Sequence, residues 1–176
     1  MKKFTRNFFI SFALLFIVMA LPLRAQASLA GLPSFQHLTA DLSSPDAIAK
    51  FIWRHFQVES DQTQFGTEDR WQSPEELLQS GRGDCEDFAL FAYEILKARG
   101  TQAFLLNIYG QGYGHTVCIF REGKTYQAVD GTRVVRGGNS LERVIAKIYP
   151  FWKSAAIVKA VKGSGRGIVL KKITRK

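Results

Sequence analysis

Gly81-Arg82-Gly83-Asp84-Cys85-Glu86-Asp87-Phe88-Ala89 is the stretch on which the fold turns. Two glycines break the chain, Asp84 is an N-cap residue, and an apolar helical pattern runs from Phe88 to Leu96, ending before Gly100. Cys85 therefore stands in the first turn of a helix. Phe88, Ala89, Ala92, Ile95 and Leu96 share its face, so the thiol points toward whatever covers that helix.

Upstream, Ser44-Pro45-Asp46 opens a helix through Phe56, with Ile48, Phe51, Ile52, His55 and Phe56 on one face. Residues 57–70 are polar and read as loop. Ser73-Pro74-Glu75-Glu76 is a capping box that starts a short helix closed by Gly81. Downstream, Ala103 to Tyr109 reads as a central strand, followed by a glycine-rich loop over 110–114. His115 to Phe120 and Thr125 to Asp130 are joined by a turn at Glu122-Gly123. Ser140 to Ile148 reads as a helix, and Ala155 to Val161 and Gly167 to Ile173 as strands around a flexible Gly163–Gly167. Helices first and an antiparallel sheet after them predict an α+β fold.

The 176 residues carry 24 Lys+Arg and 15 Asp+Glu, a formal +9, with two cysteines. That length suits one domain, and two cysteines exclude a disulfide-dense scaffold. The charge is unevenly placed. Residues 1–27 hold Lys2, Lys3, Arg6 and Arg24 and no acid; residues 28–142 are net −5; residues 143–176 are net +10 with no acid. The first segment has a basic start, an apolar run from Phe8 to Leu21 and Ala25-Gln26-Ala27, the order of a bacterial secretory signal cleaved near Ala27. The run would span roughly 21 Å, short of the ~30 Å hydrocarbon core. Residues 28–176 then form one exported domain, periplasmic or secreted, with its core at about 45–132 and a basic extension over 143–176. The tail's aromatics are not interleaved with its later basic residues, so nucleic acid is not the expected partner. Contact with an acidic polymer or a membrane surface is.

Cys85 at a helix N-terminus, His115 at the start of a strand and Asp130 at the end of the next form the candidate catalytic set. A thiolate is favoured at a helix N-terminus and beside an imidazolium. The first-turn N–H groups can also hold an oxyanion. His115 would pair with the thiolate and then protonate the leaving amine, and Asp130 would orient the ring. Counting from the turn places His115 and Asp130 nearly opposite each other. Cys118, three residues after His115 on a strand, reads as core, and a Cys85–Cys118 disulfide is the competing arrangement. His55 reads as a core histidine and His37 as exposed. The His and Cys residues lack the ligand spacing of a zinc site.

Trp71-Gln72-Ser73-Pro74-Glu75-Glu76, Gly81-Arg82-Gly83-Asp84-Cys85-Glu86-Asp87, Gly114-His115-Thr116-Val117 and Val129-Asp130 together resemble the transglutaminase-like superfamily, in particular bacterial transglutaminase-like cysteine peptidases. The resemblance spans about residues 45–132. It implies a papain-like fold, N-terminal helices packed on an antiparallel sheet, and a triad at Cys85, His115 and Asp130. It implies a protein or peptide substrate in the cell envelope. Some members are calcium-dependent, with carboxylates flanking the cysteine as ligands; Asp84, Glu86 and Asp87 match that segment. The same three acids also read as a helix cap and as favourable charges at a helix N-terminus. Gly131 stands where family peptidases often carry Asn. The chemistry itself needs no cofactor. A thiol hydrolase is the expectation, with amide transfer or a non-catalytic envelope-binding module as the alternatives.

Overall fold

The computed structural model describes residues 32–110, 112–161 and 166–175. The leader and residues 162–165, within the segment read as flexible, lie outside the described residues. Two helices come first, α1 (Phe35–Asp41) and α2 (Pro45–His55), then a short strand β1 (Gln57–Val58) and a short helix α3 (Asp61–Phe65). Helix α4 (Pro74–Ser80) and strand β2 (Arg82–Gly83) lead into α5 (Cys85–Ala98). The rest is β3 (Ala103–Gly110), β4 (Tyr113–Glu122), β5 (Thr125–Asp130), β6 (Arg133–Gly138), α6 (Leu141–Ile148), β7 (Ser154–Val161) and β8 (Arg166–Thr174). Helices α1 and α3 and strands β1, β2 and β6 were not anticipated, and β1 and α3 fall in the segment read as loop. The loop expected over 110–114 is shorter, because both flanking strands extend into it.

Local chemistry sets the helix ends. The Ser44 hydroxyl accepts from Ala47 N at 3.1 Å, with Pro45 in the first turn. Ser73 and Glu76 form the reciprocal capping box, and Gly81 stops α4 at φ 65°, a conformation that favours glycine.

Strands β3 to β8 form one antiparallel sheet in the order β6-β5-β4-β3-β7-β8. The segment 143–176 thus holds most of α6 and adds two strands, β7 and β8, to the same sheet. Both faces are covered. Helix α5 lays Phe88, Phe91 and Ile95 over Leu105, Cys118, Phe120 and Val129, with rings of Phe51 and Phe56 packed against Phe91. On the other face Val144, Ile145 and Trp152 cover Leu106, Ile108, Val117 and Ile119. This double burial explains why β3 reads as nearly continuous apolar sequence. Among the described residues no helix is long and apolar enough to cross a membrane.

The β4–β5 register differs from the expectation. Glu122 pairs with Thr125 and Cys118 with Val129, so the loop is Gly123-Lys124 rather than Glu122-Gly123. Moving the turn by one residue slides the facing strands by two. Asp130 falls beyond Val129, opposite Val117, with His115 one diagonal step away on the same face.

Candidate active site

The start of α5 is built around Asp87. Its Oδ1 accepts from Gln72 N at 2.7 Å; its Oδ2 accepts from Gln72 Nε2 at 2.7 Å and from Asp84 N at 3.3 Å. Gln72, itself buried, also donates to Arg82 O at 2.8 Å and accepts from Ser80 Oγ at 2.9 Å. Gly83 is required where it stands: a Cβ there would lie 2.4 Å from Asp87 Oδ2 and 2.9 Å from Leu77 Cδ1. The W-Q-S-P-E and G-R-G-D-C-E-D segments are thereby knitted into one support for Cys85.

Cys85 is half-buried, and both cysteines are free thiols. Its Sγ accepts from Thr116 N of β4 at 3.5 Å and donates to Glu86 Oε2 at 3.2 Å. Burial first, and then the Glu86 charge, push the thiol up to about 12, while the Thr116 N–H pulls the other way. Cys118 is fully buried in the α5-facing core, and burial raises its thiol as well.

His115 comes from β4, next to Thr116. Its Nε2 is 2.7 Å from Asp130 Oδ1. The second carboxylate oxygen of Asp130 accepts from Arg133 Nε at 2.9 Å and Nη2 at 2.7 Å. Burial alone would raise the Asp130 carboxyl; hydrogen bonds and charge from His115 and Arg133 overcome it and hold the group below the ordinary carboxylate value. Among the described residues no hydrogen bond joins the Cys85 thiol to the imidazole. With Nε2 on Asp130, Nδ1 is the other ring nitrogen.

A second cluster lies on the other side of Cys85. Asp61, Asp69 and Glu86 bring carboxylate oxygens within 4.8 Å of one another, as do Asp61, Asp84 and Asp87. Asp61 Oδ1 and Asp84 Oδ1 are buried without a hydrogen-bond partner. Asp61 Oδ2 accepts from Arg70 N, and Asp69 Oδ1 from Trp71 Nε1 at 2.9 Å. The Trp71 ring is itself packed against Gly167 of β8. Burial, and then the neighbouring Asp84 carboxyl, raise Glu86; burial raises Asp87 to about 7 and also raises Asp61. Crowded, partly unpartnered carboxylates fit a hard divalent cation. Asp61 and Asp69 were missed in the sequence, although the acid-rich run Asp61, Glu68, Asp69 before Trp71 offered a signal.

The remaining histidines are peripheral. His55 is half-buried with its ring 4.4 Å from that of Phe51, and burial lowers its pKa. His37 is exposed on α1 and bonded to Ser34.

A family model described as bacterial transglutaminase-like cysteine proteinase matches residues 26–132, more than half of the chain. No curated protein matches. Among solved structures, calcium-bound LapG of Legionella pneumophila is similar at 22% identity and a TM-score of 0.53, covering 80% of this chain and 78% of that one. EGTA-treated LapG from the same organism gives 22% identity and a TM-score of 0.51, with 74% and 76% covered. These likenesses agree with the mixed helix and antiparallel-sheet architecture.

Proposed function

The chain belongs to the bacterial transglutaminase-like cysteine proteinases, and from that membership we propose an exported peptidase whose nucleophile is Cys85, with His115 and Asp130 completing the triad. One observation carries the assignment of residues. Adjacent residues of β4 serve the two halves: Thr116 N donates to Cys85 Sγ at 3.5 Å while His115 Nε2 meets Asp130 Oδ1 at 2.7 Å. In the reaction the His115 ring takes the thiol proton at Nδ1 and the sulfur attacks the peptide carbonyl. First-turn N–H groups of α5 receive the oxyanion. The imidazolium returns its proton to the leaving amine, and water then hydrolyses the thioester, with His115 acting as base. Asp130 holds the ring's orientation throughout.

Calcium belongs to the same reading. Asp61, Asp69, Asp84 and Glu86 would hold the ion, supported by the two unpartnered buried oxygens and by the raised carboxyls. Asp87, whose oxygens are engaged by Gln72 and Asp84 N, would serve mainly as the buttress. The ion would supply positive charge beside Glu86, the carboxylate that now accepts from the thiol.

Export rests on the leader pattern, whose cleavage point near Ala27 falls at the start of the family match, residues 26–132. The substrate would be an envelope protein, and exposed Lys159, Lys171 and Lys172 would favour acidic surfaces. The test compares envelope proteomes of cells carrying wild-type protein or Cys85→Ala. A fragment present only with wild type supports the peptidase; identical proteomes with an intact phenotype favour a binding module.

A further inference from the structure

Asp130 and Arg133 face each other across a two-residue loop. They are a paired position of β5 and β6, joined by Gly131-Thr132, with Gly131 at φ 54°. The primed turns that close two-residue hairpins need positive φ at the first loop position, so glycine there closes the hairpin tightly. Closure brings the guanidinium onto one carboxylate oxygen through two nitrogens, at 2.9 and 2.7 Å. The other oxygen is left to His115 at 2.7 Å.

The two partners are unlike in environment. The Asp130 side chain is 7% exposed and that of Arg133 is 62% exposed. An ordinary exposed ion pair contributes little, but a forked arginine–carboxylate contact fixes the plane of the carboxylate. A carboxylate so fixed offers His115 one oxygen in one direction. We infer that Arg133 is a positioning residue for this peptidase, holding the Asp130 carboxylate in the plane that orients the His115 ring toward Cys85. This rests on the triad reading above and extends it by one residue. It also gives Gly131 a purpose: the tight turn that places an arginine across from the acid.

Among the described residues no other charged group acts on that carboxylate. His115 from β4 and Arg133 from β6 are the groups acting on Asp130. Asp46 of α2 is paired with Arg136, Lys147 of α6 is bonded to the Arg136 and Gly137 carbonyls, and Glu86 of α5 is bonded to the Cys85 thiol.

The test follows the rate of iodoacetamide labelling at Cys85, by peptide mapping, from pH 4.5 to 8 in excess calcium chloride. For Arg133→Met the rate at pH 7 should fall roughly 10-fold, well below the ~10⁴-fold loss that follows disabling a triad carboxylate. The acid limb of the profile should also move to higher pH. Its sign follows from charge: Arg133 holds the Asp130 carboxyl down, so without it Asp130 takes up its proton earlier as pH falls. Arg133→Lys, which keeps the charge, should return the limb toward wild type with only part of the rate. Should Arg133→Met not fold, Arg133→Gln, neutral but still a donor, carries the same expectation. A wild-type profile in the neutral variants overturns the inference. So does a rate lowered equally at every pH, the mark of a merely structural contact. If His115→Ala and Asp130→Asn also label at the wild-type rate, the triad reading itself has failed, and Arg133 falls with it.

Discussion

The two sides of Cys85 are built on opposite principles. On the sheet side, His115, Asp130 and Arg133 form a closed series in which each carboxylate oxygen has a cationic or imidazole partner. On the helix side, Asp61, Asp69, Asp84 and Glu86 crowd together; among the described residues no basic side chain is bonded to them, and two buried oxygens lack a partner. Burial costs an unpaired polar group free energy. The sheet side is therefore satisfied within the protein, whereas the helix side leaves buried carboxylate oxygens without a partner among the described residues. Cys85 stands at the boundary, with its sulfur bonded to a backbone N–H of the sheet and to a carboxylate of the acid cluster.

That contrast can be broken from either side. The largest effect is expected at Cys85: Cys85→Ala should abolish substrate cleavage in the envelope proteome, while Cys118→Ala should retain it. Next, His115→Ala should slow iodoacetamide labelling of Cys85 at pH 6 by about 10²-fold, the lower end of what a positioned acid–base group contributes. On the helix side, Asp61→Asn or Glu86→Gln should weaken calcium binding in isothermal titration by ~10-fold or more, because affinity follows the charge count of the ligands. A titration unchanged by either substitution would remove these residues from the site. Gly83→Ala should cost about 1–3 kcal/mol in urea unfolding, since the new Cβ meets Asp87 and Leu77 in a packed support.

The smallest effect is a slope. Asp87 and Glu86 have raised pKa values in the fold, so in chelator the native state binds more protons than the unfolded chain between their unfolded values and about pH 7. Stability should then decline as pH rises from about 5 to 8. Calcium should raise the melting temperature, most strongly at the upper end of that range, where the carboxylates are free of protons. A calcium-free melting temperature that climbs over this interval would contradict the assignment.

The same division separates what sequence reveals from what it conceals. Helix α5 and its cysteine were legible because Asp84, the two glycines and the 3.6-residue apolar pattern all point to one local structure. His115 and Asp130 were placed on the same face even though the turn was misplaced by one residue, because a two-residue slide preserves side-chain alternation. The acid cluster was only half legible. Asp84 and Glu86 flank the cysteine, but Asp61 and Asp69 arrive from a polar segment with no periodicity, and only tertiary packing brings them in. Strand β6 was also missed. Its two terminal glycines and short length hide it, although Asp130-Gly131 is a strong hairpin signal. With it went Arg133, whose contact with Asp130 is visible only once the hairpin closes.

The most direct measurement is the labelling rate of Cys85 by iodoacetamide at pH 6, followed with and without calcium in wild type and in His115→Ala. A triad poised beside a cation-dependent acid cluster predicts fast labelling in wild type with calcium, slow labelling in chelator, and slow labelling in His115→Ala under both conditions. A rate that is the same in all four cases would contradict it.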